Sequence, residues 1–271
     1  MKLCRFQPLE VSSGSIGLNA VASHPPERAG IVEGGAVLEL RGSLLEELVP
    51  TDRTWPLDTV RFLPPSVPTK IVCVGRNYRE HASELGNSVP KEPLIFLKPP
   101  SSILAPGEPI VLPPSSHRVD FEGELGVVIS RRCSRLPPGE NVQPYVLGYT
   151  CLNDVTARDL QKLDVQFTRA KGFDTFCPFG PVLETELPES GAALETFVNG
   201  SRKQSGHTSE MIFSVDVIIR WISQVMTLEP GDVIATGTPS GVGPLSAGDV
   251  VEVSIGGIGT LRNPVASSDA G

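Results

Sequence analysis

The stretch Val119-Asp-Phe-Glu-Gly-Glu-Leu-Gly-Val-Val-Ile129 decides how the chain is read. It predicts a β-strand, on which residues two apart share a face. Asp120, Glu122 and Glu124 then line up on one side at about 7 Å spacing. Three like charges so placed repel one another unless water or a cation neutralises them. An exposed edge strand whose acids deter aggregation satisfies the pattern, and so does a cation site. The apolar run Leu125 to Ile129 makes full solvation less natural, yet the strand alone leaves both readings open.

Outward from it, Asp154 follows the apolar run Val146 to Leu152, at a predicted strand-to-helix junction where loops present functional groups. A helix cap is the alternative for Asp154, and Asp159 beside Arg158 reads as an internal ion pair. Glu122, Glu124 and Asp154, with no Cys or His nearby, select a hard cation, Mg2+ or Mn2+. His81 and Glu84 stand i, i+3 on a helix predicted over 77–86 with Gly86 as its C-cap. The pair suits either a general base or a surface contact. It is not the H-E-x-x-H of zinc proteases. Lys171 lies among aromatic residues beside Gly172, placed to bind a carboxylate or developing enolate, though most lysines are surface groups. Gly237-Thr-Pro-Ser-Gly-Val-Gly243 reads as an anion-binding turn or a plain hairpin, and matches no nucleotide-binding loop.

The remaining elements are mostly β. Hairpins are expected at Gly34-Gly35 and Asn199-Gly200, a helical turn at Leu44 to Leu48, and an amphipathic helix over 214–226. That helix has Ser214 as N-cap and Val215, Ile218, Ile219, Ile222 and Val225 as its apolar face. The prolines of Phe62-Leu-Pro-Pro-Ser-Val-Pro68 place a boundary between a small β-rich N-terminal domain, 1–64, and a larger domain, 70–271. The fold class is mainly β with a few helices, an α+β protein.

Composition bounds the function. With 39% apolar and 20% charged residues the chain is globular rather than disordered. A net charge of −8, with no basic run, argues against nucleic acid as a partner. Five scattered cysteines without a C-x-x-C read as reduced thiols of a cytoplasmic protein. No signal-like or membrane-spanning segment is expected.

Taken in order, Gly75-Arg-Asn-Tyr-x-x-His81-x-x-Glu84, Phe96-Leu-Lys-Pro99, Asp120-x-Glu122-x-Glu124-Leu-Gly, Asn153-Asp-Val-Thr-Ala-Arg-Asp159, Ala170-Lys-Gly-Phe-Asp174 and the Gly237–Gly243 turn resemble the fumarylacetoacetate hydrolase family. The resemblance spans roughly residues 70–265, and the N-terminal part looks like the small domain of bacterial two-domain acylpyruvase-like and 2-hydroxyhepta-2,4-diene-1,7-dioate isomerase-like members. It implies a mixed β-sandwich roll and Mg2+ or Mn2+ on Glu122, Glu124 and Asp154. It further implies a small 2-oxo or 1,3-diketo acid substrate met by Lys171, Arg76, Gln161 and Thr238, a lid bearing His81 and Glu84, and a homodimer. With both lid residues present, the expected reaction is hydrolytic C–C cleavage of an acylpyruvate. Isomerisation or tautomerisation of 2-hydroxymuconate- or oxaloacetate-type acids is the alternative, with decarboxylation third. A metal-dependent 2-oxo acid binding module is the non-enzyme alternative.

Overall fold

The computed structural model describes residues 1–9, 26–84 and 86–268. The parts of the N-terminal and helix readings that fall on 10–25 and Leu85 lie outside the described residues, as does the extreme C-terminus. The architecture is α+β and dominated by strands.

The strand Gly123–Ile129 is buried along its whole length and lies inside a twelve-stranded mixed sheet. It pairs antiparallel with Val146–Asn153 on one side and Val233–Ala235 on the other. Leu125, Val127 and Ile129 join one core with Leu194, Val253 and Ile255, while Val128 joins a second core with Cys73, Leu152 and Phe179. Burial on both faces is why this stretch reads as a continuous apolar run rather than an alternating one. Beyond Val233–Ala235 comes the parallel strand Ile71–Gly75, then the edge strand Leu94–Lys98. On the opposite flank Cys177–Glu184 meets Lys2–Pro8, through which the N-terminal strands continue the same sheet. A five-stranded sheet packs over one face, with Ser201–His207 at its edge.

Four helices, α1 (Arg79–Glu84), α2 (Arg158–Leu163), α3 (Thr168–Lys171) and α4 (Val215–Val225), occur among the described residues. In α4 the Ser214 hydroxyl caps Val217 N–H, and Ile218, Ile219 and Ile222 are buried. Val225, expected on that face, is 58% exposed, because the helix ends there, beyond the buried Ile222 and Ser223. Both hairpins form, with positive φ at Gly34, Gly35, Asn199 and Gly200. After α1, Gly86 takes φ +68° and donates to Ser83 O. Leu44 to Leu48 makes no helix; a tight turn closed by Glu46 N–H to Ser43 O stands there. None of these helices is long and apolar enough to cross a membrane.

The stretch 119–129 is not one strand. Val119–Phe121 belongs to a separate three-stranded sheet, between Thr156–Ala157 and Gly243–Pro244, and the chain changes sheet at Glu122. Gly123 permits the change: a Cβ there would meet Thr196 Oγ at 2.1 Å. Asp120 therefore does not share the face of Glu124.

Asp232 ties the parallel strands together where loops enter them. Its carboxylate accepts the backbone N–H groups of Thr69, Lys70 and Glu229 and the Thr69 hydroxyl, and pairs with the Lys70 ammonium. Asp232→Ala leaves these partly buried donors without their buried acceptor and is expected to cost about 3 kcal/mol of stability in urea unfolding; a loss below about 1 kcal/mol would contradict this.

Candidate metal centre

Glu122 sits at the crossing between the two sheets, and its backbone is fixed from both sides. Its N–H donates to Asn153 Oδ1 at 3.0 Å, and its carbonyl accepts Asp154 N–H at 2.9 Å. The same contacts place Asp154 just past the end of the neighbouring strand, and Glu124 enters as the second residue of Gly123–Ile129. One oxygen from each of the three carboxylates lies within 4.8 Å of the other two, and all three residues are buried. Ligands of an octahedral ion with bonds of about 2.1 Å stand about 3 to 4 Å apart, so a small inward turn of these side chains would seat a hard divalent cation.

The charges around the triad are unevenly shared. Lys171 Nζ lies 2.8 Å from Glu122 and 2.6 Å from Asp154, and Lys98 Nζ lies 2.6 Å from the other Asp154 oxygen. Arg158 binds Glu122 at 2.5 Å and Asp120 at 2.9 Å. Burial alone would raise the Glu122 pKa, but Lys171, Arg158 and His81 hold it well below the usual carboxylate range. Burial would lower the Lys171 pKa, but Asp154 and Glu122 raise it above the ordinary lysine value. Glu124 forms no salt bridge among the described residues; Lys171 and the Gly237 N–H, which donates to it at 2.7 Å, only partly offset its burial. Burial, with Asp154 and Glu122 beside it, pushes its pKa well up. A divalent cation is the species that would relieve this buried carboxylate, and the all-oxygen donor set fits Mg2+ or Mn2+.

The triad opens into a cavity of about 240 Å³. Its walls also carry Arg76, His81, Gln161, Lys171 and Thr238, so the structure brings these sequence-derived candidates together. Glu84 stands behind His81, 3.3 Å from Nδ1, and its carboxylate accepts Gly241 N–H at 3.1 and 3.2 Å. Glu80 accepts the Ser240 hydroxyl at 3.0 Å. The glycine-rich turn thus does bind a carboxylate, but one from the chain's own helix α1. Gln161 accepts from Arg158 at 2.7 Å. The Thr238 hydroxyl donates to Gly123 O and accepts from Gln204, leaving it no proton for a substrate carboxylate.

The sequence reading missed three participants. Lys98 lies inside a quoted motif that gives it no role, and Arg158 reads only as the partner of Asp159; they are 1% and 3% exposed. Gln204 belongs to a polar edge strand and is its one buried side chain. The expected Arg158–Asp159 pair does not form, since Arg158 turns inward to Asp120 and Glu122. Asp159 instead accepts from Ser116 Oγ and His117 N–H.

Residues 70–266 match the family model described as fumarylacetoacetate (FAA) hydrolase C-terminal, and residues 1–65 match Rv2993c-like, N-terminal. Protein Rv2993c of Mycobacterium tuberculosis is 53% identical over 218 residues, 79% of this chain and 82% of that protein. Oxaloacetate tautomerase YisK of Bacillus subtilis is 43% identical over 219 residues, 74% of this chain and 71% of that protein. The crystal structure of a 5-carboxymethyl-2-hydroxymuconate delta-isomerase from Mycobacterium smegmatis superposes with a TM-score of 0.86 at 40% identity, covering 99% of this chain and 100% of that one. With its carboxylate triad and its matched domain, the chain belongs to the fumarylacetoacetate hydrolase family.

Proposed function

We propose that this protein is a divalent-metal-dependent isomerase or tautomerase of small 2-oxo dicarboxylic acids of the oxaloacetate type. The observation that carries this reading is the incompletely neutralised Glu124, packed with Glu122 and Asp154 and opening into one small cavity with His81 and Lys171. The names of the tautomerase and isomerase relatives favour it over the expected acylpyruvate hydrolysis. When bound, Mg2+ or Mn2+ supplies Lewis acidity toward the 2-oxo group.

The chain's own residues divide the remaining work. Glu84 faces His81 Nδ1 and so leaves Nε2 for the cavity, where it takes or returns the proton at the carbon beside the 2-oxo group. Lys171 stays cationic between Glu122 and Asp154 and offers positive charge to the substrate oxygens. Arg76 and Lys162 line the same cavity, and their side chains make no ion pair among the described residues. They are available to a second, distal carboxylate. At about 240 Å³ the cavity suits a compact acid better than a drug-sized ligand.

The His81–Glu84 pair supports a second reading, since the same base can deprotonate water for acylpyruvate hydrolysis. The deciding assay follows the ultraviolet absorbance of enolic oxaloacetate with and without Mg2+, beside product analysis with acetylpyruvate. Metal-dependent acceleration of ketonisation is expected; pyruvate from acetylpyruvate without such acceleration would replace the tautomerase by the hydrolase.

Three variants probe the parts. Glu124→Ala is expected to abolish both activity and the rise in Tm that Mg2+ or Mn2+ gives the unaltered protein, a rise that EDTA should reverse. His81→Ala should lower kcat by about 10²- to 10³-fold with KM little changed. Lys162→Ala should raise KM for oxaloacetate about fivefold, as losing one solvent-exposed charge contact would, and leave KM for the 4-ethyl monoester, whose distal group carries no charge, unaffected.

A further inference from the structure

The peptide of Gly123 lies between two of the three carboxylates, Glu122 and Glu124, at the point where the chain changes sheet. Side chains rather than a neighbouring strand take up both of its polar groups. Gly123 N–H donates to Gln204 Oε1 at 3.0 Å, Gln204 Nε2 donates to the Thr238 hydroxyl at 2.7 Å, and that hydroxyl donates to Gly123 O at 2.8 Å. The three bonds close a ring. The amide's orientation is fixed by its surroundings, because Nε2 also donates to Pro239 O at 2.8 Å while Oε1 faces an N–H. The ring is fully buried, so each bond it loses leaves an unpaired polar group.

We infer that Gln204 is a positioning residue of the metal centre, clamping Glu122 and Glu124 at their working separation through the peptide between them. The inference rests on the metal reading given above. The same clamp carries the turn that follows. Through Thr238 and Pro239 it holds the segment whose Gly237 N–H binds Glu124. Two of the three ligands therefore depend on one amide, supplied by a third chain segment on the edge of another sheet. Gly123 takes part because any larger residue would collide with Thr196 Oγ.

The test is Mn2+ binding, read by the electron paramagnetic resonance signal of free Mn2+, beside the far-UV spectrum and Tm of the metal-free protein. Gln204→Met keeps length and volume but removes the three hydrogen bonds of the amide, two of them in the ring and one to Pro239 O. It is expected to keep the native spectrum and bind Mn2+ at least tenfold more weakly. Thr238→Val opens the ring from the other side and should weaken binding comparably. The double variant should weaken it no further than the stronger single change, since the ring acts as a unit. If Gln204→Met does not fold, Thr238→Val decides on the same titration. A folded variant of either residue that binds Mn2+ within twofold of the unaltered protein, or strictly additive losses in the double variant, would overturn the inference. Absence of Mn2+ binding by the unaltered protein would instead remove the metal centre itself, and this role with it.

Discussion

Mutual repulsion among carboxylates held out of water organises this molecule. Asp120, Glu122, Glu124 and Asp154 are all buried within a short stretch of structure. Water cannot screen them there, so neutralising charge has to be built in or bound. Lys98, Lys171 and Arg158 supply the built-in share and are themselves drawn inside by it. Each of these cations would be costly to bury alone, and each acid would be protonated. The set is sustained only jointly. The share left over falls on Glu124, which marks where a bound ion belongs.

That electrostatic arrangement needs chain segments that are far apart in sequence to converge, and the change of sheet at Glu122 makes this possible. One continuous strand would have directed Asp120, Glu122 and Glu124 along a single face, too far apart to share an ion. Breaking the strand assigns Asp120 to Arg118 and Arg158, and turns Glu122 toward Asp154 and Lys171. The two antiparallel partners of Gly123–Ile129 then supply what lies beyond, Asp154 from one and the Gly237 turn from the other.

The local signals in the sequence were legible wherever backbone geometry is set by nearby residues. The hairpins at Gly34-Gly35 and Asn199-Gly200 and the Ser214 cap are of this kind. The triad itself was only half legible: spacing exposed three acids but assigned them to one face, and Asp154 entered as a junction residue that a helix cap explained equally well. Lys98, Arg158 and Gln204 escaped because their residue types carry no mark of burial. What buries them is partners more than thirty residues away, which periodicity does not see. The helical turn expected at Leu44 to Leu48 failed for a related reason: a few apolar residues at helical spacing do not outweigh a turn that joins two strands.

Helix α1 carries a consequence for precision. Glu84 on Gly241 and Glu80 on Ser240 tie it to the glycine-rich turn. The same turn gives the Gly237 N–H to Glu124. A disturbance of that turn therefore reaches His81 and one carboxylate of the triad together, so the imidazole and the acidic cluster stand on a common support.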